Sequence, residues 1–152
     1  MPEFHHRFGG SNAARVIQCP GYLYASRNLP PKGSSEHAER GTRLHDIQEK
    51  LRTEQLLPAE INIAEMFPTV DVVEFESITQ ATYDRVDILL DTYDIEIMVI
   101  EPFVTGAAPD TGGSIDLLGY NDTHVVMLDY KFGHIPVYAE HNAQGLFYFM
   151  CL

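Results

Sequence analysis

The stretch GGSIDLLGYNDTHVVMLDYKFG, residues 112–133, decides the fold because it predicts two apolar strands joined by an Asn-Asp turn. Asp116 stands in the first strand, while Asp129 and Lys131 stand two residues apart in the second. Pairing about a turn near 121–122 brings Asp116 across from Asp129, and side-chain alternation puts Asp129 and Lys131 on one face. Because burying charges inside apolar strands is costly, we expect these three side chains to form one functional cluster.

Such a cluster has two interpretations. Two carboxylates can hold a hard cation such as Mg²⁺, and a lysine beside the ion can orient the attacking water, which is the minimum equipment for phosphodiester hydrolysis. Alternatively, Lys131 forms a salt bridge with Asp129 or with Asp116 at a strand end. For an isolated Asp-x-Lys the salt bridge is the commoner outcome, so the neighbouring motifs have to decide.

The rest of the chain predicts helices, then a three-stranded meander, then a last helix. The expected ranges are helices at 12–19, 36–55 and 69–93, strands at 95–104, 114–120 and 123–131, and a helix at 138–152. Residues 28–35 and 53–69 are predicted to be loops, since each contains two prolines. This order indicates the α/β (α+β) fold class with a central sheet, in a single domain over residues 1–152.

Local signals predict where the first helices begin. Ser11 is expected to cap the first helix, and Ser34 or Ser35 the second. Gly41 then lies inside the second helix, where glycine costs about 1 kcal/mol relative to alanine. Two explanations stay open: another group approaches the backbone closely at Gly41, or the helix begins later than its cap suggests.

Composition predicts a cytosolic protein that does not cross a membrane. The 152 residues are 45% hydrophobic, which is enough for a core. No secretory signal is evident, and the longest apolar run, 95–104, is too short and too charged to span a bilayer. Cys19 and Cys151 are too few for a disulfide framework.

The net charge of −12 is unevenly distributed. Residues 1–52 hold eight of the ten Lys and Arg against five acids, and residues 53–152 hold the other two against seventeen acids. The basic half is a candidate phosphate-binding surface, and a divalent cation would offset part of the acidic half. The alternative is that a negative surface only keeps the protein soluble. The candidate phosphate contacts are Arg7, Arg15, Arg27, Lys32, Arg40 and Arg43.

Four short motifs follow one another along the chain: GTRLH (41–45), GGSIDLL (112–118), LDYKFG (128–133) and QGLFY (144–148). They are preceded by the segment SNAARVIQCPGYLYAS (11–26). The ordered set resembles the PD-(D/E)XK nuclease superfamily, in its RecB-like exonuclease branch, and its phage-encoded members most of all. Each motif is weak alone, but their order is fairly specific and covers nearly the whole chain.

The resemblance implies a Mg²⁺- or Mn²⁺-dependent deoxyribonuclease with a restriction-endonuclease-like core. It implies an exonuclease rather than an endonuclease, acting in phage or bacterial DNA recombination or processing in the host cytoplasm and leaving a 5′-phosphate. The implied catalytic residues are Asp116, Asp129 and Lys131. The implied metal ligands are His45, Asp116, Asp129 and the backbone carbonyl of Tyr130, with Glu101 as an extra ligand. The implied DNA contacts are Gln144 and Tyr148, with Arg15 and Arg43 as the preferred phosphate contacts.

Each of these roles has a structural alternative. His45 would otherwise be a packed or surface histidine, and Glu101 a charge that keeps an edge strand soluble. Gln144 and Tyr148, at positions i and i+4 of one helix face, would otherwise form a hydrogen-bonded pair at the edge of the core. An iron–sulfur cluster is not expected, since two cysteines cannot complete a four-thiolate site.

The resemblance breaks at the end of the chain. Relatives have at least one more strand beside the third, whereas this sequence stops within or just after the last helix. The chain is then a fragment, a reduced nuclease, or a protein whose sheet edge is completed by another copy or a partner protein. A second function class follows: a nuclease-derived protein that no longer cuts but binds DNA or another protein.

Overall fold

The computed structural model describes residues 8–30, 33–133 and 136–152. Its helices are α1 (Ala13–Gln18), α2 (Tyr22–Ser26), α3 (Glu36–Thr53), α4 (Ile63–Met66), α5 (Val72–Thr92) and α6 (Ala143–Cys151), with 3₁₀ turns at Gly10–Asn12 and Pro58–Glu60. Its strands are β1 (Ile97–Ile100), β2 (Phe103–Thr105), β3 (Gly112–Ser114), β4 (Leu117–Tyr120) and β5 (Val125–Leu128). Helices and small antiparallel sheets together confirm the α+β class.

The described chain divides into two compact units. Unit 1 takes its residues from 1–33, 102–115 and 135–152, and unit 2 from 34–101 and 116–134. None of the helices in the described ranges is both long enough and apolar enough to cross a membrane.

Unit 2 is built on the two long helices. The Ser35 side chain accepts a hydrogen bond from the Ala38 amide at 3.2 Å, so the predicted cap of α3 is confirmed. In the same way, Asp71 caps α5 by accepting from the Glu74 amide at 3.1 Å. The predicted long helix is thus confirmed, with ends that differ from 69–93 by a few residues at most.

Two apolar clusters hold unit 2 together. Leu44, Ile47 and Leu51, at helical spacing on α3, pack with Ile63 and Phe75 from α4 and α5. Full burial of one such side chain stabilises the fold by about 1.5–3 kcal/mol. The second cluster joins Val86 and Leu90 of α5 to Leu117 of β4, which fixes the sheet against the helix.

The sheet of unit 2 has the order β1-β4-β5, with both pairs antiparallel. Ile100 pairs with Leu117, and Leu117 pairs with Leu128. The β4–β5 connection is the four-residue segment 121–124, in which the Asn121 amide donates to the His124 carbonyl at 3.0 Å. The predicted three-stranded meander is therefore confirmed in its order. Among the described residues, β5 pairs with β4 alone.

Two of the predicted strands are wrong as continuous strands. The 95–104 run is split between β1 and β2, because Glu101 adopts a left-handed backbone conformation with φ 51° directly before Pro102. The 114–120 run is likewise split, since β3 pairs with β2 in a separate two-stranded sheet and β4 begins only at Leu117.

Unit 1 combines the β2–β3 hairpin with α1, α2 and α6. The ring of Tyr148, on α6, fills the space over two glycines: a Cβ added at Gly10 would lie 2.5 Å from Tyr148 Cζ, and one added at Gly113 3.1 Å from Tyr148 Cε1. Phe147 packs against Phe8 with ring centroids 5.1 Å apart. A side chain at Gly10 would therefore displace the Tyr148 ring, whereas one at Gly113 would need it to shift by only a few tenths of an ångström.

Several local predictions are wrong. Ser11 does not cap α1; it lies in the 3₁₀ turn, and Asn12 is the residue before the helix. Residues 53–69 are not all loop, because Pro58 begins a 3₁₀ turn, a position where its missing amide costs nothing, and α4 follows. The last helix begins at Ala143 rather than at 138. Asn142 caps this helix, because its side chain accepts hydrogen bonds from the amides of Gln144 and Gly145.

Neither explanation offered for Gly41 holds within the described residues. The helix begins at Glu36, so Gly41 lies well inside it. A Cβ added there would meet no atom outside the helix's own backbone within 4 Å. Packing within the protein therefore does not require glycine at this position.

Candidate active site at the ends of three strands

Three acids lie at one end of the unit 2 sheet. Since Ile100, Leu117 and Leu128 are aligned across the three strands, the next residues at that end are Glu101, Asp116 and Asp129. The Glu101 amide donates to the Asp116 carbonyl at 3.1 Å, which extends the pairing one residue beyond the strands. The prediction that the 121–122 turn brings Asp116 and Asp129 together is therefore confirmed in its geometry.

Asp116 is held from two sides. The backbone amide of Tyr130 donates a hydrogen bond to Oδ2 of Asp116, and Nδ1 of His45 lies 3.4 Å from the same oxygen. Burial raises the pKa of Asp116 and the charge of Asp129 adds to the rise, while the Tyr130 hydrogen bond, the His45 charge and Lys131 oppose it. Burial therefore disfavours ionisation of Asp116. The Tyr130 amide and His45, which hold its position, favour the ionised form.

Asp129 and Lys131 form a direct ion pair. Alternation along this segment is as predicted, because Tyr130 and Phe132 stack on each other with centroids 5.9 Å apart. The ion pair is also the salt bridge considered as an alternative, so its presence alone does not separate a structural from a catalytic lysine. It does put an ammonium group beside the acids at the strand ends.

Glu101 has a raised pKa. Burial first, and then the negative charges of Asp116, Glu49 and Asp129 in that order, together raise it from 4.5 to about 7. Clustered acids with raised pKa values are a common mark of functional sites. The interpretation of Glu101 as a solubility charge on an edge strand therefore does not account for its surroundings.

The face of α3 that meets the sheet carries residues whose part in the site was not predicted. Glu49 and Arg52 lie four and seven positions after His45, and this helical spacing is the signal that would have indicated them. Arg52 pairs with Asp87 at 2.5 Å and lies over the Tyr83 ring with its Cζ 3.9 Å from the centroid. The Arg52 side chain is largely buried and lies beside Tyr130.

Tyr130 contributes its amide and its ring. The amide donates to Asp116, as described, and the role of the carbonyl as a metal ligand stays a prediction. Burial raises the pKa of the Tyr130 phenol, and the Arg52 guanidinium offsets only part of that rise. The ring of His45 meets those of Tyr130 and Phe132 edge-on, at centroid distances of 5.7 and 5.2 Å. This packing fixes the orientation of His45 toward Asp116.

The donor set suits a hard divalent cation. Three carboxylates and an imidazole supply oxygen and nitrogen ligands of the kind that Mg²⁺ and Mn²⁺ prefer, and a cation would relieve the repulsion that raises the Glu101 pKa. Within the described ranges, no three His, Cys, Asp or Glu side chains are grouped closely enough to hold an ion as they stand. Binding would therefore involve rotation of these side chains, including that of Asp129 relative to Lys131.

Asp129 also borders an open groove of about 510 Å³ between α5 and β5. Its lining is mainly apolar and includes Val86, Leu89 and Leu128, with Arg85 as a cation at its side. Asp129 is therefore reachable by a ligand from this direction.

The predicted DNA contacts are spread over both units. In unit 1, Gln144 lies partly buried in the first turn of α6, and Tyr148 is only 6% exposed because its ring packs on the glycines. The burial of Tyr148 does not support a direct contact with DNA. Arg15 is exposed on α1, and Arg43 in unit 2 lies 3.8 Å from Glu39 on the same helix.

The remaining predicted cations have different surroundings. Arg40 donates to the Phe132 carbonyl at 2.9 Å and to Glu74 at 2.6 Å, so it secures the segment that carries Lys131. Arg7 and Lys32 lie outside the described residues. Cys19 and Cys151 are free thiols.

Comparison with known proteins adds a family but no named relative. Neither the curated proteins nor the solved structures include a match to this sequence. A family model described as "Protein of unknown function (DUF2800)" matches residues 5–151, nearly the whole sequence. The chain therefore belongs to the DUF2800 family.

Proposed function

We propose that this protein is a divalent-metal-dependent DNA nuclease of the PD-(D/E)XK superfamily, with a restriction-endonuclease-like core and the activity of a RecB-like exonuclease. The observation that carries the proposal is the meeting of Glu101, Asp116 and Asp129 at one end of three neighbouring strands, with Lys131 on Asp129. A salt bridge with Lys131 would need one acid, whereas three carboxylates at one end of the sheet repel one another, and a bound cation would offset that repulsion.

Asp116 and Asp129 would hold Mg²⁺ or Mn²⁺, with Glu101 and His45 as further ligands. When bound, such an ion polarises a phosphoryl oxygen and offsets negative charge in the transition state. The three carboxylates explain why the ion is needed, since they would otherwise repel a phosphate. His45 also positions Asp116, because its Nδ1 lies 3.4 Å from Oδ2.

Lys131 orients the water that attacks the phosphorus. Its ammonium group has three N–H donors, of which one is directed to Asp129 in the ion pair. The others are available to hold the water and to stabilise charge on the phosphate. The proton that the water loses passes through solvent to the departing O3′ oxygen. Hydrolysis breaks the P–O3′ bond and leaves a 5′-phosphate.

A second candidate function is that of a nuclease-derived protein that binds DNA or another protein without cutting it. Two observations favour this alternative. The acids are not grouped as a ready metal site within the described residues, and Asp129 is paired with Lys131 rather than directed toward an open position.

Cleavage of end-labelled linear DNA and closed circular DNA separates the two functions. The nuclease proposal predicts Mn²⁺-dependent cutting of linear DNA, no cutting in EDTA, and loss of at least about a hundredfold in rate for Asp116→Ala and for Lys131→Ala, as expected for removal of groups that act on the transition state. Asp122→Asn is the matched control, because this exposed acid lies in the turn at the opposite end of the same hairpin.

Activity that survives Asp116→Ala would overturn the assignment of the site, and absence of cutting by the wild-type protein would favour the non-catalytic alternative. Cutting of circular DNA would replace the exonuclease assignment by an endonuclease.

A further inference from the structure

The segment before α3 differs in charge from the rest of the chain. Residues 4–35 contain no Asp or Glu, although the chain has 22 acids in 152 residues. Within that range the structure describes α1 and α2 of unit 1, which carry Arg15 and Arg27. The two helices therefore carry no carboxylate of their own, and Glu140 is an acid that lines a groove beside Ile17 and Gln18 of α1.

Both arginines of this surface contact tyrosines, and Arg27 is stacked on its partner. Arg27 lies with its Cζ 3.7 Å from the centroid of the Tyr24 ring and donates to the Tyr24 hydroxyl at 3.1 Å. Arg15 lies 5.7 Å from the centroid of Tyr22 and donates to its hydroxyl at 3.0 Å. Tyr24 is nevertheless 66% exposed, so most of its ring is open to solvent.

The tyrosine contacts hold both guanidinium groups on the two helices. Neither arginine has a salt bridge with an acid within the described part of the chain, in contrast to Arg40, Arg43 and Arg52 of unit 2, which each contact a carboxylate. An arginine held flat on an aromatic ring keeps donors at its edge for a phosphate, and it presents a planar face on which a base can stack.

We propose that α1 and α2 form a binding surface for single-stranded nucleic acid, made of the pairs Arg15–Tyr22 and Arg27–Tyr24. The arginines contact phosphates, and unpaired bases stack on the exposed faces of Tyr24 and the guanidinium groups. Exposed aromatic rings beside cations are the equipment that binds single strands without base specificity. In a duplex the base faces are covered by their neighbours, so exposed rings would have nothing to stack on.

This inference deepens the proposed function, since it rests on DNA being the substrate and specifies an unpaired strand as the form recognised by unit 1. It uses no contact with the acids of unit 2. Binding can therefore be measured without cleavage.

The test is fluorescence anisotropy of a labelled oligothymidine in EDTA and low salt, with an unlabelled duplex as competitor. Tyr24→Leu removes the ring and Tyr24→Phe keeps it, so the two variants separate stacking from the hydroxyl. The double variant Arg15→Gln with Arg27→Gln removes the phosphate contacts. Lys50→Gln is the control, because this surface cation is already paired with Glu54 at 2.7 Å.

We expect Tyr24→Leu to weaken binding about five- to 100-fold, the range for loss of one stacked base, and Tyr24→Phe to bind nearly as well as the wild type. The double arginine variant should also lower the slope of log affinity against log salt by about 0.7 for each arginine. Lys50→Gln should change neither quantity.

Equal binding by Tyr24→Leu and the wild type, or equal competition by the duplex, would overturn the proposal. So would absence of single-strand binding, even if the protein cuts DNA in Mn²⁺. Tight single-strand binding that depends on Tyr24, together with no cleavage in Mn²⁺, would support the surface and overturn only the nuclease activity.

Discussion

Replacement of Glu101 by glutamine should stabilise the metal-free protein in a way that depends on pH. The folded chain holds the Glu101 pKa at about 7, above its ordinary value of 4.5, through burial and the charges of Asp116, Glu49 and Asp129. Because the folded state resists ionisation of this group, ionisation favours unfolding. The resulting loss of folding stability is absent below pH 4.5, grows between pH 4.5 and 7, and is fully present above pH 7.

The magnitude follows from the same values. The difference between 4.5 and about 7 corresponds to at most about 3.4 kcal/mol. Since Glu101 is only partly buried and remains open to solvent, screening reduces this energy, and we expect Glu101→Gln to raise the free energy of unfolding by about 1 kcal/mol at pH 8. For a chain of this size that is a rise of about 2–4 °C in Tm. No difference is expected at pH 4.

Urea or thermal unfolding in EDTA, at pH 4 and pH 8, measures the effect. Glu96→Gln is the matched control, an exposed acid just before the opposite end of β1. If Glu101→Gln raises the free energy of unfolding equally at both pH values, or if Glu96→Gln raises it as much, the neighbouring charges and burial do not raise the Glu101 pKa. If the acids also hold a cation, Mn²⁺ at pH 8 should stabilise the wild-type protein more than Glu101→Gln.

Three further substitutions test the packing. Gly41→Ala should stabilise α3 by about 0.5–1 kcal/mol in urea unfolding, because the site is helical with open space; destabilisation would contradict that. Gly10→Ala should destabilise by about 1–3 kcal/mol, since its Cβ would lie 2.5 Å from Tyr148 Cζ, and an unchanged Tm would argue against this packing. Leu44→Ala should cost about 2–5 kcal/mol, since Leu44 is fully buried in the α3 cluster; a loss under 1 kcal/mol would place it outside the core.

The part of the fold that could be predicted was encoded by periodicity. The alternating run at 112–133 with its Asn-Asp turn specified the β4–β5 hairpin and hence the meeting of Asp116 with Asp129. The register is symmetric about the four-residue connection 121–124, which puts Asp116 and Asp129 at the same end of the hairpin. Ser35, one of the two caps predicted for the second helix, marked the start of α3 through local side-chain chemistry, while the Asp71 cap of α5 was not predicted.

What could not be predicted depends on tertiary contacts. The apolar run at 95–104 looks continuous, but the chain turns out of the sheet at Glu101, whose left-handed conformation has no sequence signature for a glutamate. The raised pKa of Glu101 comes first from burial and then from nearby charges, among them Glu49, which packing of α3 on the sheet brings near it. The role of Arg40 in holding the Phe132 carbonyl joins residues 92 positions apart.

Mn²⁺ binding to the purified protein, followed by calorimetry or electron paramagnetic resonance, tests most directly whether the strand-end acids form a metal site. Wild type and Asp122→Asn should bind Mn²⁺ with equal affinity, while Asp116→Asn and Asp129→Asn should bind at least about tenfold more weakly, as expected for loss of a charged ligand. If wild type binds no Mn²⁺, or if the Asp116 and Asp129 variants bind as well as the control, the acids do not form a metal site.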